Sequence, residues 1–314
     1  MAHMVETMAY AGEVPWHGLG TKVSNDLTPG QMLEVAGLDW EVDEVDSYVK
    51  YKGQNIPTGQ KCLVRSTDSR ILTTVGQGWH PVQNQEAFEF FNEFVAAGEM
   101  EMHTAGSLKD GQMVWALAKI KDGFELNGGD VIESYLLFSN PHQFGKCVDI
   151  RTTNVRVVCN NTLTFSLNQK ADDVVRRNHR TAFDADDVKM ALGIAKEKMN
   201  TYKETAQFLS SKRAKDEDVV DYFKRVFPVL TTKGPDSKKE LSKSAAAALE
   251  VLHTQPGAEM SEGSWWQAYN AVTFLTNHKI GRSNDNRVYS AWYGANKNLN
   301  VKALETAVEF AEAA

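Results

Sequence analysis

The chain changes its hydrophobic period once, and that change limits the folds it can adopt. Up to about residue 160, short runs of alternating apolar and polar residues are separated by turn residues, which is typical of antiparallel strands. From residue 184 onward, apolar residues recur at helical spacing. We therefore predict an α+β fold, in which an antiparallel sheet body with packed helices is followed by a mainly helical C-terminal region. The predicted domains are residues 1–170 and 171–314.

Capping and turn residues place the elements inside these two regions. Thr28 precedes Pro29 and begins a helix that Gly37 ends, and Asn84 caps a helix with an aromatic stripe that we assign to the core. The predicted strands cover 40–51, 61–66, 70–75, 112–120, 131–139, 147–152 and 154–160, with a loop over 52–59. Further helices are predicted after Asp184, Asp216 and Ser264, over 239–253, and from Asn300 onward.

The composition is that of an ordinary soluble globular protein, with 42% apolar and 24% charged residues over 314 positions. We find no stretch long and apolar enough for a membrane span, and no signal peptide at the start. Cys62, Cys147 and Cys159 are odd in number and form no Cys-x-x-Cys pair. These features predict a protein without metal or cofactor in a reducing cytoplasm, the host cytoplasm if a phage encodes it.

Residues 154–167 carry the strongest functional signal. A strand leads into the adjacent amides of Asn160 and Asn161, and basic residues lie on both sides of this segment. Guanidinium and amide groups suit a phosphate backbone better than they suit bond-breaking chemistry. The candidate nucleic-acid-binding residues of this cluster are Arg151, Arg156, Asn160, Asn161, Lys170, Arg176, Arg177 and Arg180.

Charge is distributed unevenly along the chain. The net charge is −7, but residues 1–100 hold 6 basic and 14 acidic residues, a net of −8, so the remainder nets +1. Residues 146–180 hold seven basic and three acidic residues, a net of +4. Local potential governs contact with a polyanion, although neighbouring carboxylates can also neutralise such a cluster. Both interpretations stay open at the level of the sequence.

Three other motifs have both a functional and a structural interpretation. Trp16 and His17, followed by glycines, can stack on a base and donate to a phosphate, or can serve as a structural loop. For the turn at 76–81 and for the aromatic helix that contains Trp265, Trp266 and Tyr269, we favour structural roles. His103, His142 and His179 lack the spacing of a metal motif.

Five segments together resemble a known family. They are 14–20 (VPWHGLG), 75–88 (VGQGWHPVQNQEAF), 156–162 (RVVCNNT), 266–271 (WQAYNA) and 287–294 (RVYSAWYG). They resemble the phage/plasmid-like protein family, a domain of unknown function numbered 932, which implies a mobile genetic element. One departure lies at 140–145, where His142 stands without the acidic neighbour of a His-Asp-Gly-Ser turn. The order of strands and helix is also similar to that of phage single-strand annealing proteins related to Rad52, an analogy of fold alone.

These observations lead to one favoured hypothesis and two others. The favoured one is a non-enzymatic single-stranded nucleic-acid binder that acts in phage or plasmid recombination, annealing or replication and forms a homo-oligomer. The second is a phage assembly or host-interaction protein that binds another protein through its acidic N-terminal face. The third is an enzyme that uses His17, His142 or Cys159, for which the sequence supports no reaction class.

Overall fold

The computed structural model describes the chain except residues 1–4, 13, 15–17, 127, 157–160, 164–174, 178–184 and 230–240. It confirms the predicted α+β class, with antiparallel strands first and helices towards the C-terminus. The chain divides into two compact units that interleave in sequence, whereas the sequence analysis placed one boundary at residue 170. The first unit comprises Met1–Lys121, Tyr135–Thr152 and Lys170–Ala195, and the second comprises Asp122–Ser134, Thr153–Gln169 and Lys196–Ala314.

The larger sheet has eight strands, most of which pair antiparallel. The strands are β1 (Val5–Ala11), β2 (Thr21–Val23), β6 (Met100–Leu108), β7 (Met113–Leu126), β8 (Asp130–Pro141), β9 (Val148–Arg156), β10 (Asn161–Leu163) and β11 (Val175–Arg177). Their order is β10-β9-β8-β7-β6-β1-β2, and β11 also pairs with β9. Strands β1, β2 and β6 were not predicted, because the first predicted strand begins at residue 40 and none is predicted between 75 and 112.

The helices of the first unit confirm one cap and correct another. Helix α1 (Pro29–Val35) begins after Thr28, whose hydroxyl accepts a hydrogen bond from the backbone N–H of Gln31 at 3.3 Å. The predicted aromatic helix is two shorter helices, α2 (Asn84–Glu89) and α3 (Asn92–Ala96), and its cap is Gln83 rather than Asn84. Its aromatic stripe is buried in the core, as predicted, at Phe88, Phe91 and Phe94.

The smaller sheet is the predicted antiparallel meander of β3 (Val42–Tyr51), β4 (Gln54–Arg65) and β5 (Ile71–Gly76). The loop prediction over 52–59 is wrong, because only Lys52 and Gly53 form the turn between β3 and β4. Both residues have positive φ, 49° and 82°, as a two-residue hairpin turn of the type I′ class requires. The two strands therefore extend away from the core as a long hairpin.

A buried arginine holds the base of the smaller sheet. The Arg65 guanidinium donates to both oxygens of Glu6 at 2.8 and 2.9 Å and to both oxygens of Asp68 at 2.9 and 2.6 Å. It also lies 5.5 Å from the ring centre of Trp40. A Cβ added to Gly111, whose φ is +84°, would lie 2.9 Å from an Arg65 nitrogen, so glycine leaves the room that the guanidinium occupies.

The Arg65 cluster predicts a loss of stability in acid. Hydrogen bonds from Arg65 hold the pKa of Asp68 well below its ordinary value of 3.8. A carboxylate with a lowered folded-state pKa stabilises the protein above its unfolded-state value, and that contribution disappears as the pH falls through the folded-state pKa. We expect the urea midpoint to fall as the pH is lowered from about 5 towards 2, and to fall less steeply in Arg65→Met. If the urea midpoint fell equally steeply with pH in the wild type and in Arg65→Met, this assignment would be contradicted.

The second unit is built from helices around an aromatic core. Its helices are α4 (Ala185–Ser211, which begins in the first unit), α5 (Asp216–Val226), α6 (Lys243–Val251), α7 (Trp265–His278), α8 (Asn284–Tyr293) and α9 (Ala295–Ala313). Ser264 caps α7 as predicted, since its hydroxyl accepts from the backbone N–H of Gln267 at 3.2 Å. Asp216 is the first residue of α5 rather than its cap. Helix α8 was not predicted, and α9 begins five residues before Asn300.

Helix α7 is buried on almost every side. Trp265, Trp266 and Tyr269 are fully buried in the helical core, which confirms the structural role favoured for this aromatic helix. The Trp266 indole N–H donates to the carboxylate of Asp130, which is also fully buried, at 2.9 Å. Within the described residues, no helix combines the length and apolar character needed to cross a membrane.

Candidate nucleic-acid interface

Strand β11 brings two arginines of the predicted cluster beside strand β9. The two strands pair antiparallel, with Arg176 opposite Asp149 and Arg177 opposite Val148. Arg151 lies two residues further along β9 and points to the same face as Asp149, because strand residues alternate. Three arginine positions thus share one pair of strands, although Arg151 lies 25 or more residues before Arg176 and Arg177 in sequence.

Arg151 already has a carboxylate partner. Its Nε donates to Asp149 Oδ1 at 2.5 Å, and both side chains are largely buried. The neutralisation by neighbouring carboxylates that the sequence left open is therefore present at this arginine. A phosphate would have to share or replace Asp149 as the partner of Arg151, whereas the roles of Arg176 and Arg177 stay predictions.

Another strand partner of β9, strand β10, carries one of the predicted asparagines. Strand β10 pairs antiparallel with the end of β9, with Asn161 opposite Arg156. The strand pairing fixes where the backbone of Arg156 and Asn161 lies, as it does for Arg176 and Arg177. The remaining predicted contacts lie outside the described residues: Trp16, His17, Asn160, Lys170 and Arg180.

His142, a candidate for catalysis, is a buried structural residue. Its Nε2 lies 2.9 Å from Oδ1 of Asn84. The Asn84 amide nitrogen donates to the carbonyls of Leu38 and Trp40 at 3.0 and 3.2 Å, so Oδ1 is the acceptor and His142 Nε2 carries the proton. His17 and Cys159, the other catalytic candidates, lie outside the described residues. The part of the chain that is described contains no group of three or more His, Cys, Asp and Glu able to bind a metal ion.

The turn at 76–81 is a tight connection, as favoured from the sequence. Trp79 is buried, and its backbone N–H donates to the carbonyl of Gly76 at 3.1 Å. His80, by contrast, is exposed, and its Nδ1 lies 3.1 Å from a carboxylate oxygen of Glu44. Burial raises the pKa of Glu44, but hydrogen bonds from Lys61 and His80 outweigh that effect and leave the pKa below its ordinary value. This polar group fixes the base of the β3–β4 hairpin.

The largest surface feature that the sequence analysis missed is the hairpin itself. We use the name ribbon for residues 43–62 of β3, β4 and their turn. Val49 pairs with Ile56 and Tyr51 with Gln54, and all four side chains are exposed. The sequence predicts the β3 strand over 40–51, but the glycines and the proline of 52–59 predict a loop where β4 continues the hairpin.

The comparisons with known proteins identify a family without an assigned activity. The family model described as Domain of unknown function (DUF932) matches residues 71–292, more than two thirds of the chain. No curated protein and no solved structure matches the chain. The matched region includes strands β9 to β11, which hold most of the predicted basic cluster.

Proposed function

The chain belongs to the family Domain of unknown function (DUF932), and we propose that it is a non-enzymatic nucleic-acid-binding protein of a phage or plasmid. The observation that supports this proposal is the pairing of β11 with β9, which gathers Arg151, Arg176 and Arg177 on adjacent strands. One acidic residue, Asp149, lies among them. The strand pair therefore carries a net charge of +2 from these four groups in a chain whose total is −7.

The proposed substrate is single-stranded nucleic acid, bound during recombination, annealing or replication. Arginine guanidinium groups hold phosphate oxygens in charge-assisted hydrogen bonds, and neutralised phosphates release their counterions. Such contacts do not read base identity, so the protein binds different sequences with similar affinity. Arg156 and Asn161, opposite each other on β9 and β10, are proposed to contribute a cation and an amide to the same kind of contact.

We further propose that the protein acts in the cytoplasm as a homo-oligomer. The thiols of Cys62 and Cys147 are free, which is the expected state in a reducing compartment. An annealing protein must bring two strands together, and several copies along one strand provide a repeated backbone-binding surface. Neither point depends on catalysis, and no reaction is assigned to the chain.

Replacing Arg176 and Arg177 together by alanine is expected to weaken binding to every single-stranded oligonucleotide by a similar factor of about ten or more. Fluorescence anisotropy with labelled oligonucleotides of unrelated sequence, measured over a series of salt concentrations, tests this. Each lost phosphate contact should reduce the slope of log K against log salt by about 0.7. Wild-type affinity itself should fall steeply as salt rises.

The matched control is the double variant Lys224→Ala and Arg225→Ala on helix α5. It removes the same number of positive charges, from a half-buried lysine and an exposed arginine that pair with Asp221 and Glu309 on the surface. It should leave binding nearly unchanged. Equal losses in the two double variants would mean that net charge alone acts, and a wild-type protein that binds no single strand at low salt would refute the proposal.

The alternative function is binding of a phage or host protein. Residues 1–100 have a net charge of −8, which suits a basic protein surface. Co-purification from infected or plasmid-bearing cells distinguishes the two functions when nuclease is added. A partner that stays bound after nuclease treatment favours the alternative, whereas a purified sample with a high absorbance ratio at 260 over 280 nm favours nucleic acid.

A further inference from the structure

One face of the ribbon carries four exposed apolar side chains. On β3, Val45, Val49 and Tyr51 share this face because strand residues alternate, and the register shift between Asp46 and Tyr48 is taken up by extra residues of β4. Ile56 joins them as the cross-strand partner of Val49. Their exposed fractions are 48%, 55%, 58% and 45%. Ser47 and Gln54 are the polar residues among them. Single exposed apolar residues are common, but four such β-branched and aromatic side chains on one face mark a contact surface.

The two ends of this face carry opposite charges. Asp43 shares the face at the base of the ribbon and is exposed. At the tip, the Lys52 ammonium lies 5.3 Å from the ring centre of Tyr51, which places it on the same face. No acidic residue occurs between Asp46 and Lys61, so the tip is basic and the base is acidic.

We propose that this face is an interface between two copies of the chain, packed antiparallel about a two-fold axis. In that arrangement Lys52 of each copy meets Asp43 of the other, about 30 Å along the ribbon at 3.4 Å per residue. The same operation sets Val45 of each copy against Tyr51 of the other and places Ser47, Val49 and Ile56 near the axis. The face is therefore complementary to itself in both charge and apolar character.

The composition of the face selects a protein partner over a nucleic acid. Val45, Val49 and Ile56 of this face carry aliphatic side chains that neither stack on bases nor bind phosphates. A second copy is the one partner whose charge pattern matches this face in a fixed geometry. This proposal stands independently of the proposed nucleic-acid function, since it uses none of the residues of β9, β10 or β11.

The interface belongs to the small class, below about 1,200 Å² in total, so association should be weak and reversible. Sedimentation velocity without nucleic acid should therefore show a dimer whose fraction rises with protein concentration in the micromolar range. Asp43→Lys and Lys52→Asp should each weaken dimerisation by about tenfold or more, because the two-fold axis repeats the altered contact. An equimolar mixture of the two variants should dimerise again, since each supplies the charge that the other has lost.

Charge changes on the opposite face of the ribbon provide the controls. Asp46→Lys and Lys50→Asp alter the same charge types on β3, three residues from Asp43 and two residues from Lys52, on the face that alternates with that of Val45 and Val49. They should dimerise like the wild type, and far-ultraviolet circular dichroism should be the same for all four variants. A wild type that is monomeric at every concentration, control variants as weak as the test variants, or a mixture that does not recover would each overturn the proposal.

Discussion

Replacing Arg65 with methionine is expected to lower the free energy of unfolding by about 3 kcal/mol. The side chain is 8% exposed and forms four hydrogen bonds to the carboxylates of Glu6 and Asp68. Methionine keeps much of the volume but leaves Glu6, itself largely buried, without its cation. Breaking one partner of a buried ion pair costs more than the pair contributes, because the remaining charge stays in a poorly solvated place. Urea unfolding followed by circular dichroism measures the change.

Arg70→Met is the matched control for this prediction. Arg70 also pairs with Asp68, and with Asp110, but it is 43% exposed and water can replace it. An exposed pair is worth about 0–1 kcal/mol, so this variant should unfold close to the wild type. If the two substitutions destabilise the protein equally, burial does not set the strength of the Arg65 cluster.

Local sequence patterns correctly predicted those features of the fold that depend only on residues close in sequence. Thr28 and Ser264 cap helices as predicted, because a hydroxyl that bonds a backbone N–H three residues later is a property of a few residues in sequence. Asn84 looks the same in sequence but bonds Leu38, Trp40 and His142 instead. The competing partners lie 44 to 58 residues away, so no local pattern could reveal them.

The ribbon and strand β6 were hard to predict because neither shows a clear alternation of apolar and polar residues. The ribbon residues 52–59 are exposed on both faces, so no apolar alternation marks them as strand. Strand β6 is buried over most of its length, and its small residues Thr104, Ala105 and Gly106 lack the alternating apolar and polar pattern of a surface strand. Pairing with β1 and β7, rather than propensity, decides its conformation.

The candidate site was only partly readable from sequence for a similar reason. The count of basic residues in 146–180 indicates a local positive charge, but it cannot tell which of them are paired. The ion pair of Arg151 with Asp149 and the register of Arg176 opposite Asp149 depend on which strands meet. Charge counts therefore locate a cluster, and strand pairing decides which cations a phosphate can reach.

Replacing Asp130 with alanine is expected to lower the free energy of unfolding by about 2–4 kcal/mol. Asp130 is fully buried at the start of β8 and accepts a hydrogen bond from the indole N–H of Trp266. Alanine leaves that N–H buried without its acceptor and opens a small cavity beside the aromatic core of the second unit. Urea unfolding followed by circular dichroism avoids any change in tryptophan fluorescence caused by the substitution itself.

Asp130→Asn separates the hydrogen bond from the charge. The amide keeps an oxygen that can accept from Trp266, so most of the stability should return if this bond dominates. A double-mutant cycle with Trp266→Phe measures the coupling between Asp130 and Trp266, because phenylalanine removes the indole donor. The loss caused by Asp130→Ala should then be smaller in the Trp266→Phe background than in the wild type. Losses that simply add would show that Asp130 stabilises the second unit through other contacts than the one to Trp266.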